Sequence, residues 1–311
     1  MTEHNPVSAM QRIPARTVDV GGMPVRRVLP VRERRLVGAW CFFDHAGPVD
    51  HDAGGGIQVG PHPHTGLQTF TWMIEGELLH SDSLGNRQWI RPGEVNVMTA
   101  GHGISHAEEA PKDRAGRSHT VQLWIALPDA ERERAPMFQH CPQLPRIERD
   151  GFGITLLVGA WLGARSPATV FSPLLGADLI AGAAATTTLP LRPDFEHAVL
   201  CLEGGIRVEG EALAPGTLLY LGGDRETLRV ECDSAARLLL VGGEPLGEEV
   251  LLWWNFVART AGEMEQATQD WNHGDRFGEV RDTELRRLVA PDVAGLRLRV
   301  SKPIIDEGAS T

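Results

Sequence analysis

The chain has 311 residues, of which 42% are hydrophobic, so it can form one large domain or two of about 150 residues, each with its own core. Its formal net charge of -11 argues against direct binding to a nucleic-acid backbone, and no apolar run approaches the roughly 20 residues that cross a bilayer. The first 11 residues lack the apolar stretch of a signal peptide, so a cytoplasmic location without membrane contact is expected.

The first half is predicted to be all-β, because short β-type runs recur between glycine, proline, aspartate and asparagine residues. In chain order the predicted strands are Val25–Val31, Gly38–Phe43, Leu67–Ile74, Glu77–Asp82, Gln88–Ile90, Val95–Met98 and Thr120–Ala126. Their length and turn spacing favour a sandwich or barrel over alternating strands and helices.

Two pairs of potential metal ligands lie beside these strands, His62 with His64 and His106 with Glu108. An isolated His-x-His is more often a surface pair, but on a strand the i, i+2 spacing points both side chains to one face. Two such strands inside a small barrel would bring three imidazoles and one carboxylate together. That donor set suits a first-row divalent metal, with iron first and manganese, nickel, copper and zinc as alternatives.

A change of composition divides the chain after the first half. Residues 130–134 form a charged run and are followed by Pro136, Pro142 and Pro145, which predicts a linker at 136–152 between domains at 1–135 and 153–311.

Four cysteines lie far apart in the sequence and are expected to be free thiols.

The second half resumes the β pattern and resembles a degraded copy of the first. The segment 74–76 corresponds to 202–204, and 92–94 corresponds to 215–217. In this alignment the four candidate ligand positions fall on or near Pro190, Arg192, Arg229 and Glu231. The second domain is therefore predicted to repeat the fold without binding a metal.

A helix is predicted near the C-terminus, from Thr260 to Trp271. Thr260 and Glu263 have the spacing of a capping box, and Gly274 is a stop signal. The apolar segment Trp253-Trp254-Asn255-Phe256-Val257 before it is expected to pack in the core or between domains, and residues 306–311 are expected to be disordered.

Several motifs together resemble the pirin family of bicupins over almost the whole chain. They are Phe43-Asp44-His45-x-Gly47-Pro48, Pro61-His62-Pro63-His64, Met98-Thr99-Ala100-Gly101-His102-Gly103-Ile104-x-His106-x-Glu108 and Trp253-Trp254-Asn255-Phe256-Val257. The resemblance implies two tandem cupin (jelly-roll-like) β-barrels. It also implies that His62, His64, His106 and Glu108 are the metal ligands, with Fe(II) as the first choice of metal.

The general cupin spacing is also visible, since five residues separate Gly56 from His62 and one separates His62 from His64. Where many cupins have a glutamate ligand shortly afterwards, this chain has Gln68 and Thr69. Gln68 is instead expected to hydrogen-bond a ligand histidine. Glu109, which follows Glu108 on the predicted strand, is expected at the surface.

The resemblance further implies quercetin 2,3-dioxygenase activity, in which a flavonol and O₂ react at the metal, the central ring opens and carbon monoxide leaves. Glu108 would act as the general base. The strand residues Phe70, Trp72, Trp124 and Met98 are candidates for an aromatic-sized pocket, and His102 for its mouth. The alternative function is a non-enzymatic regulator that binds a protein partner according to the oxidation state of its metal.

Overall fold

The computed structural model describes residues 10–293, which are almost entirely β-structure. The strands of the first half are β1 (Gln11–Pro14), β2 (Arg16–Val20), β3 (Met23–Leu29), β4 (Trp40–His51), β5 (Gln58–His64), β6 (Leu67–Glu75), β7 (Leu78–Asp82), β8 (Arg87–Ile90), β9 (Val95–Thr99), β10 (Ile104–Glu109), β11 (Gly116–Ala126) and β12 (Met137–Cys141). All seven strands predicted for this half are present, with shifted ends. The two ligand pairs lie within strands of their own, β5 and β10.

The second half contains fourteen further strands among the described residues. They are β13 (Arg146–Arg149), β14 (Phe152–Val158), β15 (Ala160–Trp161), β16 (Ala164–Arg165), β17 (Leu174–Ala181), β18 (Ala185–Pro190), β19 (Glu196–Glu203), β20 (Ile206–Val208), β21 (Glu211–Leu213), β22 (Thr217–Gly222), β23 (Thr227–Cys232), β24 (Ala236–Gly243), β25 (Leu251–Trp253) and β26 (Phe256–Ala258). One helix, α1 (Ala261–His273), follows them.

Each half pairs a seven-stranded sheet with a four-stranded sheet. The sheets of the first half have the orders β12-β9-β6-β11-β4-β3-β2 and β5-β10-β7-β8. Those of the second half have the orders β1-β22-β19-β24-β17-β14-β13 and β18-β23-β20-β21. The internal repeat inferred from the sequence thus corresponds to two copies of one antiparallel arrangement.

Two short strands cross between the sequence halves. β1 lies at the start of the described chain but pairs with β22 in the large sheet of the second half. β12 lies inside the predicted linker but pairs with β9 in the large sheet of the first half, and β13 pairs with β14 in the second. The division at 1–135, 136–152 and 153–311 stays a prediction, and residues 294–311, including the segment expected to be disordered, lie outside the described residues.

The two large sheets face each other across a shared apolar core. Trp40 and Phe70 from the first half and Leu200 and Leu239 from the second are all fully buried in it. The indole nitrogen of Trp40 also donates a hydrogen bond to the carbonyl oxygen of Gly242, at 3.0 Å. This hydrogen bond joins the two halves within their shared core.

The helix begins and ends as the sequence predicts. The Thr260 side chain accepts a hydrogen bond from the Glu263 amide at 3.1 Å, and Gly274 caps the other end. Met264, Ala267 and Trp271 form its buried face. With 13 residues, α1 is not long and apolar enough to cross a membrane, and residues 10–293 contain no other helix that is.

Candidate metal centre

Neighbouring strands of the small first sheet bring the three candidate histidines together. β5 and β10 are antiparallel, with His62 opposite His106 and His64 opposite Ile104. Because alternate residues of a strand share one face, His62 and His64 point to the same side of the sheet as His106. All three side chains are buried.

The histidine rings converge closely enough to bind one ion. One ring nitrogen from each residue lies within 4.8 Å of the other two. The Nε2 atoms of His64 and His106 are 3.1 Å apart, and the ring centroids of His62 and His106 are separated by 4.3 Å. In the described residues this is the only such cluster of three or more histidine, cysteine or acidic side chains, and it lies in the first half of the chain.

Main-chain carbonyl groups orient two of the rings. His62 Nδ1 lies 2.9 Å from the Gly60 oxygen, and His64 Nδ1 lies 3.0 Å from the Asn255 oxygen. A carbonyl oxygen only accepts, so each Nδ1 carries the proton and each Nε2 has a free lone pair directed at the cluster. The donors therefore suit a metal ion, because lone pairs that face each other need a cation between them.

Burial also keeps these imidazoles neutral. Desolvation lowers the pKa of His62 to about 4, the hydrogen bond to Gly60 opposing it only in part. Desolvation and the nearby histidines lower the pKa values of His64 and His106 well below the ordinary 6.5. Neutral imidazole is the form that binds metals, so the cluster is ready to coordinate an ion at neutral pH.

Glu108 lies on the same strand as His106, beyond a β-bulge between the two residues. Its half-buried carboxylate borders the same cavity as His62 and His64, but it is not among the donors that lie within 4.8 Å of one another. Burial raises the pKa of Glu108 to about 7. The extra residue of this bulge lies on β5, between His62 and Val59, whereas His106 and Glu108 keep a regular register against β7.

A cavity of about 470 Å³ opens beside the cluster. Phe42 and Trp124 form part of its wall and stack on each other with ring centroids 3.9 Å apart. The Trp124 ring also meets the His64 ring edge-on at 5.0 Å. Trp253 and Trp254 add a second aromatic wall. The volume falls in the range of roughly 300–1,000 Å³ that is typical of small-molecule sites.

The cavity also contains charged groups. Arg27 forms a two-pronged ion pair with Asp44, with nitrogen–oxygen distances of 2.7 and 2.6 Å, and its guanidinium lies 4.5 Å from the centre of the Phe42 ring. Arg16 borders the cavity too. An aromatic ligand with hydroxyl groups would thus meet both apolar and polar surface.

Five side chains expected at the site or its cavity lie elsewhere. Met98 does not border the cavity, since it belongs to a small core cluster with Ala100 and Ile104. Phe70 and Trp72 do not border the cavity, since both belong to the core between the large sheets. The Gln68 amide nitrogen bonds the Thr99 hydroxyl and the Thr169 carbonyl, each at 3.0 Å, and so it does not orient a candidate ligand. His102 is exposed, and its main chain bonds Arg134 and Arg276.

Two further expectations need correction. Glu109 is buried and forms a 2.8 Å ion pair with Lys112, so it is not an exposed surface residue. Trp253 and Trp254 do more than fill a core, because their hairpin forms one wall of the cavity and supplies the Asn255 carbonyl to His64.

Sequence reasoning missed a second polar pair, His80 and Asp82 on β7. His80 Nδ1 lies 3.4 Å from His106 Nδ1, and His80 Nε2 lies 3.0 Å from an Asp82 carboxylate oxygen. Both side chains are buried. Their i, i+2 spacing on a predicted strand was the available signal, the same one that identifies His62 and His64.

Comparison with known proteins agrees with this architecture. A family model described as "Pirin" matches residues 22–125, and one described as "Pirin C-terminal cupin domain" matches residues 176–278. A Pseudomonas aeruginosa protein named "Putative quercetin 2,3-dioxygenase" is 53% identical over 286 residues, which cover 91% of this chain and 90% of that protein. A "Pirin-like protein" of Caulobacter vibrioides is 37% identical and covers 84% of this chain and 92% of its own length.

A solved structure gives the same result. The crystal structure described as quercetin 2,3-dioxygenase from Acinetobacter baumannii is 49% identical and superposes with a TM-score of 0.91, covering 94% of this chain and 98% of that one. The predicted fold of two tandem cupin barrels with a C-terminal helix is thereby confirmed. With both family models matched and relatives this similar over most of their length, the chain belongs to the pirin family.

Proposed function

We propose that this pirin is a metal-dependent dioxygenase that opens the central ring of quercetin or a related flavonol or phenolic compound and releases carbon monoxide. The observation that carries the proposal is the aromatic-walled cavity that borders His62, His64 and Glu108, next to a cluster of three convergent neutral histidines. The quercetin 2,3-dioxygenase names of the two most similar proteins described above point to the same reaction class.

The proposed ligands are His62, His64, His106 and Glu108, and the proposed metal is Fe(II), with manganese, nickel, copper and zinc as alternatives. Bound there, the ion would supply Lewis acidity that stabilises the substrate anion and orients it. The protein holds the imidazoles through the Gly60 and Asn255 carbonyls, and it shields the site within the barrel.

The cavity residues bind and prepare the flavonol. Its flat rings lie against Trp124 and Trp253, where offset or edge-on aromatic contacts contribute roughly 0.5–1.5 kcal/mol each beyond the burial of area. The Glu108 carboxylate accepts the proton of the 3-hydroxyl group as general base. The resulting flavonolate is the electron-rich species that reacts with O₂, after which the central ring opens and carbon monoxide leaves.

The test is aerobic decay of quercetin at its visible absorption band, with protein loaded separately with iron, manganese, nickel or copper. We expect metal-dependent decay with carbon monoxide release, abolished in both His62→Ala and Glu108→Ala. His102→Ala is the matched control, since this exposed histidine lies outside the cavity and its replacement should leave turnover unchanged. One tightly bound ion per chain without quercetin loss for any of the metals would overturn the proposal.

A further inference from the structure

The strand that carries His106 has a polar neighbour on each side. β10 lies between β5, which carries His62 and His64, and β7, which carries His80 and Asp82. In the register of β10 and β7, His106 lies opposite Asp82 and Glu108 lies opposite His80, so all four side chains share one face of the sheet. The strand β7 thus places His80 and Asp82 next to the candidate ligands of β10, on the opposite side of β10 from β5.

Three buried groups form a continuous hydrogen-bonded line on this face. It runs from His106 Nδ1 to His80 Nδ1 at 3.4 Å and from His80 Nε2 to the Asp82 Oδ2 atom at 3.0 Å. The exposed fraction is 1% for His106, 5% for His80 and 2% for Asp82. Water is therefore kept from these groups, and their polar atoms must find partners within the protein.

Both outer members of the line are held in place. Asp82 Oδ1 accepts hydrogen bonds from the main-chain amides of Leu84 and Asn86, each at 3.0 Å, and Oδ2 accepts one from the Asn86 side chain at 2.9 Å. The His80 ring stacks on Phe138 with centroids 4.3 Å apart and planes 12° apart. Phe138 belongs to β12, so the segment predicted as a linker contacts the site.

The positions of the protons follow from the end of the line. A carboxylate only accepts hydrogen bonds, so His80 carries a proton on Nε2, and the contact with His106 then has His80 Nδ1 as its acceptor. His106 must then carry its own proton on Nδ1, which leaves its Nε2 lone pair directed at His64 and the cluster. Asp82 thus determines which nitrogen of His106 is free.

We propose that His80 and Asp82 are positioning residues that hold His106 in the orientation and tautomer needed to bind the metal. This inference rests on the proposed ligand set. Main-chain carbonyl groups orient the rings of His62 and His64 through hydrogen bonds, whereas a pair of side chains orients the ring of His106. Loss of such outer partners typically lowers metal affinity 10- to 100-fold.

The experiment compares four variants of the full chain. His80→Phe keeps a flat ring against Phe138 but removes the acceptor for His106. His80→Gln can still accept from His106 through its carbonyl and donate to Asp82 through its amide. Asp82→Asn keeps the shape but reverses the line: the main-chain amides of Leu84 and Asn86 hold its oxygen at the Oδ1 position, so its NH₂ group faces His80. Ser81→Ala is the control, a buried side chain between the two on the same strand.

The measurements are metal affinity by competition with a chelator, the electron paramagnetic resonance spectrum of the Cu(II)-loaded protein, and thermal unfolding of the metal-free protein. We expect a 10- to 100-fold loss of affinity and an altered spectrum for His80→Phe and Asp82→Asn. His80→Gln should stay within about threefold of the parent protein, and Ser81→Ala should match it.

The outcomes separate this inference from the proposed function. A parent protein that binds no metal contradicts the ligand set itself. A parent protein that binds metal, together with folded His80→Phe and Asp82→Asn variants of unchanged affinity and spectrum, overturns the positioning role alone. An equal loss of metal affinity in His80→Gln and His80→Phe also overturns the positioning role. If His80→Phe does not fold, the metal affinity and spectrum of Asp82→Asn, compared with those of Ser81→Ala, decide whether the positioning role holds.

Discussion

At the scale of single residues, Glu108 differs from the other candidate ligands because burial acts on it in the opposite sense. The buried histidines become neutral and so become better ligands, whereas burial disfavours the charge that a carboxylate ligand needs. Its pKa is raised to about 7, from an ordinary value of 4.5. The metal-free protein therefore carries an unfavourable group that a bound cation would compensate.

Replacing Glu108 should therefore stabilise the metal-free protein in one pH range. Because the pKa is higher in the folded state, the free energy of unfolding falls as the pH rises from about 4.5 to about 7, and the full loss is present above pH 7. We expect Glu108→Gln to raise the free energy of unfolding by about 1–3 kcal/mol above pH 7 and to have no such effect below pH 4.5. Urea unfolding at several pH values, in the presence of a chelator, measures this.

Glu109→Gln is the control for that prediction. Glu109 is a buried carboxylate on the same strand, but it is paired with Lys112 at 2.8 Å, so its removal should not stabilise the protein at any pH. Equal pH dependence of the parent protein and Glu108→Gln would contradict the effect of burial on Glu108.

At the scale of strands and hairpins, the sequence revealed the side chains that alternate along one strand but not those that meet across strands. The i, i+2 spacing predicted that His62 and His64 share one face of their strand. The same spacing predicted a shared face for His106 and Glu108. The pairing of β7 with β10, which brings His80 to His106, depends on register that no local pattern specifies.

Register also explains the error over the pocket aromatics. Large residues occupy both faces of β6, because one face packs inside the barrel and the other packs against the second large sheet. Phe70 and Trp72 do alternate with Thr69 and Thr71, but both faces of this strand are buried, so the alternation does not indicate which face borders the cavity. Phe70 and Trp72 could not be assigned to a face without the three-dimensional structure.

The Trp253 side chain of the β25–β26 hairpin should control substrate affinity separately from metal binding. Trp253 borders the cavity but makes no contact with the histidine rings, so Trp253→Ala should raise the KM for quercetin about 3- to 10-fold, matching the loss of one aromatic contact. Metal content should stay unchanged. Steady-state kinetics together with metal analysis of the same sample measures both.

Trp161→Ala provides the comparison for the hairpin variant. Trp161 is a half-buried tryptophan of the second half, with its indole bonded to the Pro190 carbonyl at 2.8 Å, and it does not border the cavity. Its replacement should leave the KM within twofold of the parent value. A KM unaffected by Trp253→Ala would remove the hairpin from the substrate wall.

At the scale of the whole molecule, the two halves form one structural unit. Their large sheets share a core, and Ile13 of β1 is buried in that core while pairing with β22 of the opposite half. The repeated fold was predictable from the sequence, and the absence of a metal from the second half stays a prediction. The crossing of β1 and β12 was not, since short strands of ordinary composition carry no mark of which sheet they join.

This sharing predicts a single unfolding transition for both halves. Ile13→Ala should lower the free energy of unfolding by about 2–5 kcal/mol, and it should shift the whole transition because it weakens the core common to both sheets. Arg12→Ala, which removes only the exposed ion pair with Glu211, should cost less than about 1 kcal/mol. Tryptophan fluorescence and circular dichroism in urea should coincide; two separate transitions would contradict the prediction.

The crossing of β1 also has a consequence for synthesis on the ribosome. The Arg12–Glu211 contact, next to the pairing of β1 with β22, joins residues 199 positions apart. At a translation rate of about 5–20 residues per second, the segment 11–14 waits roughly 10–40 s for its partner to emerge. The first strand of the described chain to be made therefore stays unpaired after all the other strands of the first barrel have been made, and the large sheet of the second barrel is completed by the strand that was synthesised first.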